Sequence, residues 1–340
     1  MADNCVVRRR TFALSLLAAT AVPRTARATG GLDVGDELEQ RNVRVLLAAG
    51  DGFAAPQRLD DWRFAWNGRT YRGVYATRVL EDGRRALLNT VPLDAYLYGV
   101  IGAEISAAWP AAALQAQAVA ARTFVLAKLR PARTFDIAAG GNDQSYGGIE
   151  AESVEVRAAV DATAGLILAF GAVPAHVCYS ACCGGRTADA GDVWGTPYPY
   201  LISRSDPNCA SAPEFAWRAE VALAAVKTPL DLDEIGALRS VALRGADGSG
   251  RPKALGFLGA EASLEVSVGA FRSAAGGAVR STFLHEVSLG PRGERLSVAG
   301  TGRGHGVGLC QWGARGMAAN GAGSDEILAF YFPGTTFGRV

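Results

Sequence analysis

The sequence predicts an α+β fold, a single composite domain of mixed helices and mostly antiparallel β segments. Residues 42–91 alternate apolar and polar side chains between turn residues, a pattern typical of antiparallel strands. An alanine-rich segment over residues 110–129 has strong helical preferences. Short apolar runs between glycine turns return over residues 218–300 and predict further strands. Because we find neither an internal repeat nor a linker, one unit is more economical than two.

Two helices are expected near the middle of the first half. The first begins at Pro92, where apolar residues recur at helical spacing, and Gly102 interrupts it. The second opens at Pro110, because proline suits the first helical position. Gln115 and Arg122 lie seven residues apart in it, so they share one face of the helix.

Later elements follow similar signals. A helix is expected from Ser153 to Ala164, followed by a strand over Leu166–Phe170. Near the C-terminus, Ser324 is the expected N-cap of a last helix. Before it, a glycine-rich loop surrounds His305, and its glycines predict a close backbone approach to a ligand or to another chain segment.

The N-terminus carries the features of an export signal. Arg9 and Arg10 precede an apolar run, and small residues around Ala28 suit signal-peptide cleavage. We therefore expect a twin-arginine signal peptide over residues 1–28, with the general secretory route as the alternative, and an N-terminal extension over residues 29–41. No other stretch is apolar enough for a membrane span. The mature protein is expected outside the cytoplasm, in the periplasm or at the cell wall.

The composition limits the kinds of partner that the chain can bind. The chain has 340 residues, of which 49% are hydrophobic and 20% charged, as in globular proteins. Beyond residue 28 it carries 29 basic against 32 acidic side chains. A protein that binds nucleic acid needs a surplus of basic side chains to contact the phosphates. The chain beyond residue 28 has no such surplus, so nucleic acid is excluded as a partner.

Of the six cysteines, five lie beyond the leader, an odd number for an exported protein. Such cysteines predict one or two disulfides. His176, Cys178 and Cys182 or Cys183 could instead hold zinc, but their spacing matches no common zinc motif. We favour a disulfide and expect no metal and no cofactor.

Several segments resemble the stage II sporulation protein D family, in the order in which that family has them. They are VPLDAYLYGVIGAEISAAWP (91–110) with the helix that follows, DQSYGG (143–148), YSACCGG (179–185) and GRGHGVGLCQWGARGMA (302–318). The resemblance extends over about residues 42–338. It implies that residues 42–340 form one catalytic domain.

The resemblance implies a peptidoglycan lytic transglycosylase. Such an enzyme cleaves the bond between N-acetylmuramic acid and N-acetylglucosamine in glycan strands and leaves 1,6-anhydro ends. The family's catalytic acid/base matches Glu104, and an arginine needed for activity matches Arg122. One carboxyl group suffices, because the sugar's own C6 hydroxyl is the nucleophile. We find no obvious second catalytic carboxylate at Asp94 or Asp143.

Further assignments complete the expected site. The substrate-binding candidates are Gln115, Gln144, Tyr146, His305 and Gln311. A structural role for His305 and an exposed position for Gln115 remain open alternatives. Exported relatives imply a disulfide between Cys183 and Cys209, and Cys310 is read as a small buried residue.

Peptidoglycan glycan strands are the expected partner, and other cell-wall hydrolases are further candidates. A non-catalytic amidase enhancer that binds the wall is the alternative function. A cysteine hydrolase using Cys178 or Cys183 lacks a recognised nucleophile signature.

Overall fold

A computed structural model describes residues 41–141 and 143–340. The expected signal peptide (1–28) and nearly all of the extension (29–41) lie outside the described residues. Within these residues, no helix is both long and apolar enough to cross a membrane.

The described residues form eighteen strands and eight α-helices, which confirms the α+β class. The strands are β1 (Asn42–Gly50), β2 (Gln57–Arg58), β3 (Arg63–Trp66), β4 (Arg69–Arg72), β5 (Val74–Val79), β6 (Arg85–Pro92), β7 (Ile137–Ala138), β8 (Leu166–Phe170), β9 (Val173–Pro174), β10 (Tyr179–Ser180), β11 (Ala216–Ala222), β12 (Leu238–Arg244), β13 (Ala254–Gly259), β14 (Ser263–Ser267), β15 (Leu284–Leu289), β16 (Arg295–Thr301), β17 (Leu309–Cys310) and β18 (Thr336–Arg339). The helices are α1 (Leu93–Glu104), α2 (Ala111–Lys128), α3 (Val154–Ala162), α4 (Ala190–Trp194), α5 (Leu223–Lys227), α6 (Val268–Ala275), α7 (Gln311–Ala319) and α8 (Ser324–Tyr331).

The strands form small sheets rather than one continuous sheet. Their orders are β5-β6-β1-β7, β2-β3-β4, β18-β8-β9, β11-β16-β15, β12-β13-β14 and the pair β10-β17. Ten of the twelve strand pairings in the described residues are antiparallel, as expected; β1 with β7 and β10 with β17 are parallel. The parallel pair β10-β17 joins chain segments about 130 residues apart. No local sequence pattern predicts a pairing between segments so far apart.

Helix α2 is the centre of the main core. Most of its side chains are buried, and it packs against α1, α3, α7, α8 and β8. Its many alanines are small enough for neighbouring elements to approach from several sides at once. The alanine-rich composition therefore serves packing as well as helix formation.

Helix α1 extends further than expected. It continues through Gly102 and ends at Glu104. A Cβ atom at Gly102 would lie 1.9 Å from the carbonyl oxygen of Ala151, so the glycine permits a close approach of that chain segment. What looked like a helix breaker is a packing contact, and the helix places Glu104 at its very end.

Two separate clusters of buried apolar side chains stabilise the chain. The larger contains α1, α2, α3 and the C-terminal segment. The smaller lies entirely between residues 217 and 298 and joins the sheets β11-β16-β15 and β12-β13-β14. The sequence showed no division at this point, because the turns that enter and leave the segment resemble all the others.

Local helix signals were confirmed with small shifts. Ser153 is the N-cap of α3, and its hydroxyl accepts a hydrogen bond from the Val156 amide. At α8 the expectation was wrong by one residue: the N-cap is Gly323, and Ser324 is the first helical residue. The Gly323 amide is satisfied by the Glu326 carboxylate at 2.9 Å.

Candidate active site

The carboxyl group of Glu104 lies at the end of α1 and is only 6% exposed. The Ser145 amide donates to its Oε1 at 2.6 Å, and the Gln311 side chain donates to its Oε2 at 3.3 Å. Three distant chain segments therefore meet at this carboxyl group, and each of them belongs to one of the motifs quoted above.

Burial raises the pKa of Glu104 above its ordinary value, since a charged carboxylate is poorly solvated there. The hydrogen bonds from Ser145 and Gln311 act in the opposite direction, because they stabilise the charged form. Burial is the larger effect. A carboxyl group with a raised pKa keeps its proton to higher pH, which is the property a general acid needs.

Neither of the two other acidic residues weighed in the sequence is available as a second catalytic carboxylate. Asp94 is paired with Arg122, and Asp143 with Lys128. Asp143 also accepts the Ala138 amide at 2.7 Å. Among the described residues, no lysine or arginine forms an ion pair with Glu104. Of these three acidic residues, Glu104 is therefore the one without an ion pair among the described residues.

An open cavity of about 880 Å³ is lined by residues next to Glu104, although Glu104 itself is not part of the lining. Its lining includes Ala103 and Ser145, the direct neighbours of Glu104 in the chain and in space. Trp66, Arg69 and further polar groups from the β2-β3-β4 sheet and from residues 145–151 complete it. A space of this size with mixed polar and apolar walls suits sugar rings.

Arg122 lies away from Glu104. Its guanidinium is buried, donates to Asp94 at 2.8 Å, and donates to the carbonyl oxygens of Leu166 and Val160. Asp94 is in the first turn of α1 and Glu104 is its last residue, so about 15 Å of helix separates them. The structure thus gives Arg122 contacts that hold α1, α3 and β8 together, and none with the carboxyl group of Glu104.

Two further predicted residues, Gln115 on α2 and Gln144 in the 143–148 turn, differ in their contacts. Gln115 is half-buried and makes no hydrogen bond to Glu104 in the described residues. Gln144 is fully buried, accepts from the Tyr96 hydroxyl at 3.1 Å and donates to the Ala121 carbonyl at 3.3 Å. These bonds fix the turn that carries the Ser145 amide.

Tyr146 is mostly buried, but part of it lines the cavity. Its hydroxyl donates to Asn89 at 3.0 Å, while its ring packs against Tyr71 and Tyr96. It is 5% exposed, yet it also lines the cavity beside Glu104. Only an edge of this side chain is therefore available to a substrate.

His305 is buried in the glycine-rich loop. Its Nδ1 accepts from the Val307 amide and its Nε2 faces the Tyr179 carbonyl, both at 3.0 Å, and Trp194 packs on its ring. A ring nitrogen that accepts from an amide carries no proton, so the proton is on Nε2 and is donated to Tyr179. These contacts support the structural alternative for the histidine.

The glycines around this histidine answer the question that the sequence left open. Gly304, Gly306 and Gly308 all have positive φ. A Cβ at Gly308 would lie 2.2 Å from the Cys178 carbonyl oxygen, and one at Gly306 would lie 2.4 Å from the Arg251 guanidinium. The close approach is to other parts of the chain, and the loop is packed from both sides.

An aromatic pair joins α7 to the segment between α1 and α2. Trp312 follows Gln311 in α7, and its ring meets the ring of Trp109 at a centroid distance of 5.1 Å. The guanidinium of Arg315 is 4.9 Å from the Trp312 ring. All three side chains are partly exposed, so their faces are accessible to a ligand. Trp109 and Arg315 were not predicted as site residues, because the pairing depends on two segments 200 residues apart.

The expected disulfide is not formed in the structure. Cys183 and Cys209 are both buried thiols, and their Sγ atoms lie 3.6 Å apart, beyond the bond length of about 2.05 Å. The two residues lie next to each other, and Cys182, Cys310 and Asp206 meet them at the same place, which the sequence did not indicate.

Sequence reasoning found Glu104 and Gln311 but missed the Ser145 amide, the closest donor to the carboxyl group. A backbone donor leaves no signature in the residue type. The only available signal was the position of Ser145 within the DQSYGG segment, between two residues that were predicted.

A model of the family described as "Stage II sporulation protein" matches residues 81–170, the segment that holds α1 and α2. An uncharacterised protein of Brachyspira hyodysenteriae is 30% identical over 276 residues, which span 80% of this chain and 73% of that protein.

Two relatives from Bacillus subtilis carry functional names. Stage II sporulation protein D is 25% identical over 73% of this chain and 75% of its own length. A protein named amidase enhancer is 27% identical over 71% of this chain but only 40% of its own length.

The chain belongs to the stage II sporulation protein D family. Its membership supports a function related to the cell wall.

Proposed function

We propose that this protein is a lytic transglycosylase that cleaves peptidoglycan glycan strands between N-acetylmuramic acid and N-acetylglucosamine. The observation that carries the proposal is the buried carboxyl group of Glu104, whose pKa is raised by burial and which forms no ion pair among the described residues. Hydrolases of the usual kind need two carboxyl groups. A transglycosylase needs one.

The reaction balances with this single group. Glu104 donates its proton to the bridging oxygen as the bond from that oxygen to C1 of the muramic acid breaks. The resulting carboxylate then accepts the proton of the same sugar's C6 hydroxyl, whose oxygen bonds to C1. The products are a strand with a 1,6-anhydro end and a strand with a free hydroxyl, and Glu104 is protonated again.

The neighbours of Glu104 have separate roles in this scheme. The Ser145 amide and Gln311 hold the carboxyl group in place and stabilise its charged form after proton transfer. The Trp109 and Trp312 rings are partly exposed and would supply apolar faces for sugar rings. Arg122 is a positioning residue, which fixes the start of α1 through Asp94.

Mass spectrometry of purified glycan strands after incubation tests the proposal. We expect 1,6-anhydro-muramyl ends with the wild-type protein and none with Glu104→Gln. Glu155→Gln is the matched control, because Glu155 is an exposed carboxylate at the start of α3. Free reducing ends without the anhydro product would show a hydrolase instead.

The amidase enhancer relative supports a second candidate, a non-catalytic protein that binds glycan and assists another wall enzyme. The same sample distinguishes the two. An enhancer would leave the strands uncut and would increase product release only when an amidase is added, equally in wild type and in Glu104→Gln.

The proposed location is outside the cytoplasm, in the periplasm or at the cell wall. The support is the sequence pattern over residues 1–28 together with the wall-related family. Lysines in place of Arg9 and Arg10 should block export if the twin-arginine route is used, and fractionation of cells measures this.

A further inference from the structure

Four potential metal ligands converge beneath the active site. Cys183 follows β10, Cys310 ends β17, and Asp206 and Cys209 belong to the 3₁₀ turn at Pro207–Cys209 and its N-cap. One ligand atom from each lies within 4.8 Å of all the others. The segments are brought together by tertiary structure alone, since more than 100 residues separate Cys310 from the other three.

The distances fit a tetrahedral ion. Zinc binds thiolate sulfur at about 2.3 Å, so two sulfurs on one tetrahedron lie about 3.8 Å apart. The Cys183 and Cys209 sulfurs are 3.6 Å apart, and the Cys183 sulfur is 3.2 Å from Oδ2 of Asp206. A disulfide would use two of these four ligands, whereas a zinc ion would use all four.

Backbone amides surround the Cys310 sulfur. The amides of Cys183 and Gly313 both donate to it, at 3.2 and 3.3 Å, and it also lies at the positive N-terminal end of α7. These contacts would stabilise the negative charge that this sulfur carries as a zinc ligand.

Charge and outer contacts complete the site. Arg251 is 2% exposed, and its guanidinium donates to the Cys183 carbonyl at 2.8 Å. A buried cation here offsets the negative charge that three thiolates and a carboxylate keep after a divalent ion is bound. The Tyr331 hydroxyl donates to Asp206 at 2.8 Å, which orients the carboxylate as outer partners of metal ligands do.

We propose that Cys183, Asp206, Cys209 and Cys310 bind one Zn²⁺ ion in a closed structural site. All four residues are buried, and four protein ligands leave no position for a substrate or a reactive water. The ion ties β10, the 3₁₀ turn and the start of α7 together. Gln311, the residue after Cys310, is the donor to Glu104, so the metal would hold that donor in place.

Metal analysis of the full chain, purified without chelators, tests the site independently of any activity on glycan. We expect one zinc per chain, and cobalt reconstitution should give the spectrum of a tetrahedral thiolate complex. Cys183→Ser and Cys310→Ser should weaken binding by more than about 100-fold, because changing groups that only support metal ligands already costs roughly 10–100-fold. A chelator should lower the melting temperature.

Cys178→Ser is the matched control, because Cys178 is buried in the same core but is not among the four ligands. It should keep the zinc. If the ligand variants fail to fold, Asp206→Asn and the cobalt spectrum of the wild type still decide. Wild-type protein without metal, whether its cysteines are free or joined in a Cys183–Cys209 disulfide, would overturn the site. So would zinc lost equally from Cys178→Ser.

Discussion

The two ends of helix α1 bury ionisable groups in opposite ways. At its start, the buried guanidinium of Arg122 is paired with Asp94 and bonded to backbone carbonyls. At its end, the carboxyl group of Glu104 is buried without a cation among the described residues and is left with two hydrogen bonds from neutral groups.

We interpret the buried ion pair at the start of α1 as stabilising the fold, and the buried carboxyl group at its end as suited to proton transfer. A buried charge with its partners in place holds segments together, and removing one partner is costly. A buried carboxyl group without a cation is itself a cost to folding, since its charged form is poorly solvated. Such a cost to folding is expected at a residue that must donate a proton and then accept one. Four experiments test this contrast between Arg122 and Glu104.

Glu104→Gln should have the largest effect. The amide keeps the shape but cannot transfer a proton, so glycan cleavage should fall by at least about 10²–10⁴-fold, the usual contribution of general acid–base catalysis. Release of anhydro-muropeptides over time measures it, beside Glu155→Gln as control. Near-normal turnover would place the chemistry at another group.

Arg122→Ala should act on the other end of the helix, through stability. It removes an ion pair and several hydrogen bonds to backbone carbonyls. We expect a loss on the order of 2 kcal/mol in the free energy of unfolding, moderated because the Asp94 left behind is partly exposed. Denaturant unfolding measures it. Unchanged stability with lost cleavage would return Arg122 to the reaction itself.

Gln311→Leu should shift the pH dependence of cleavage. The amide of Gln311 stabilises the charged form of Glu104, so its removal should raise the pKa of Glu104 further. A general acid loses activity as pH rises through its pKa. The alkaline limb of kcat/KM should therefore move to higher pH, and an unmoved limb would mean that another group sets it.

The smallest effect concerns stability against pH. Because the pKa of Glu104 is raised in the folded state, its protonation contributes stability that is fully present below the unfolded value of about 4.5 and is lost as pH rises through the folded value. Glu104→Gln removes this loss. The variant should melt at a higher temperature than wild type at neutral pH, and the gap should close in acid; a gap independent of pH would contradict the assignment.

Local patterns in the sequence carried much of the fold. The start of α2 after Pro110, the Ser153 cap of α3 and the antiparallel segment over residues 42–91 were all predicted, because each depends on residues within one turn or one hairpin. Where the prediction failed, as at Gly102, a distant segment decided: the approach of Ala151 requires the glycine and leaves the helix intact.

The site divides in the same way. By itself the sequence predicted Glu104 and Gln311 as site residues, through the resemblance of their segments to the family's motifs. Only the tertiary structure decided that Arg122 pairs with Asp94 and that the Ser145 amide donates a hydrogen bond to the Glu104 carboxyl group. It also decided that Cys310 lies next to Cys183 and Cys209. The physical reason is that burial, and with it the pKa of a carboxyl group or a thiol, depends on neighbours that are distant in the chain and that no local pattern names.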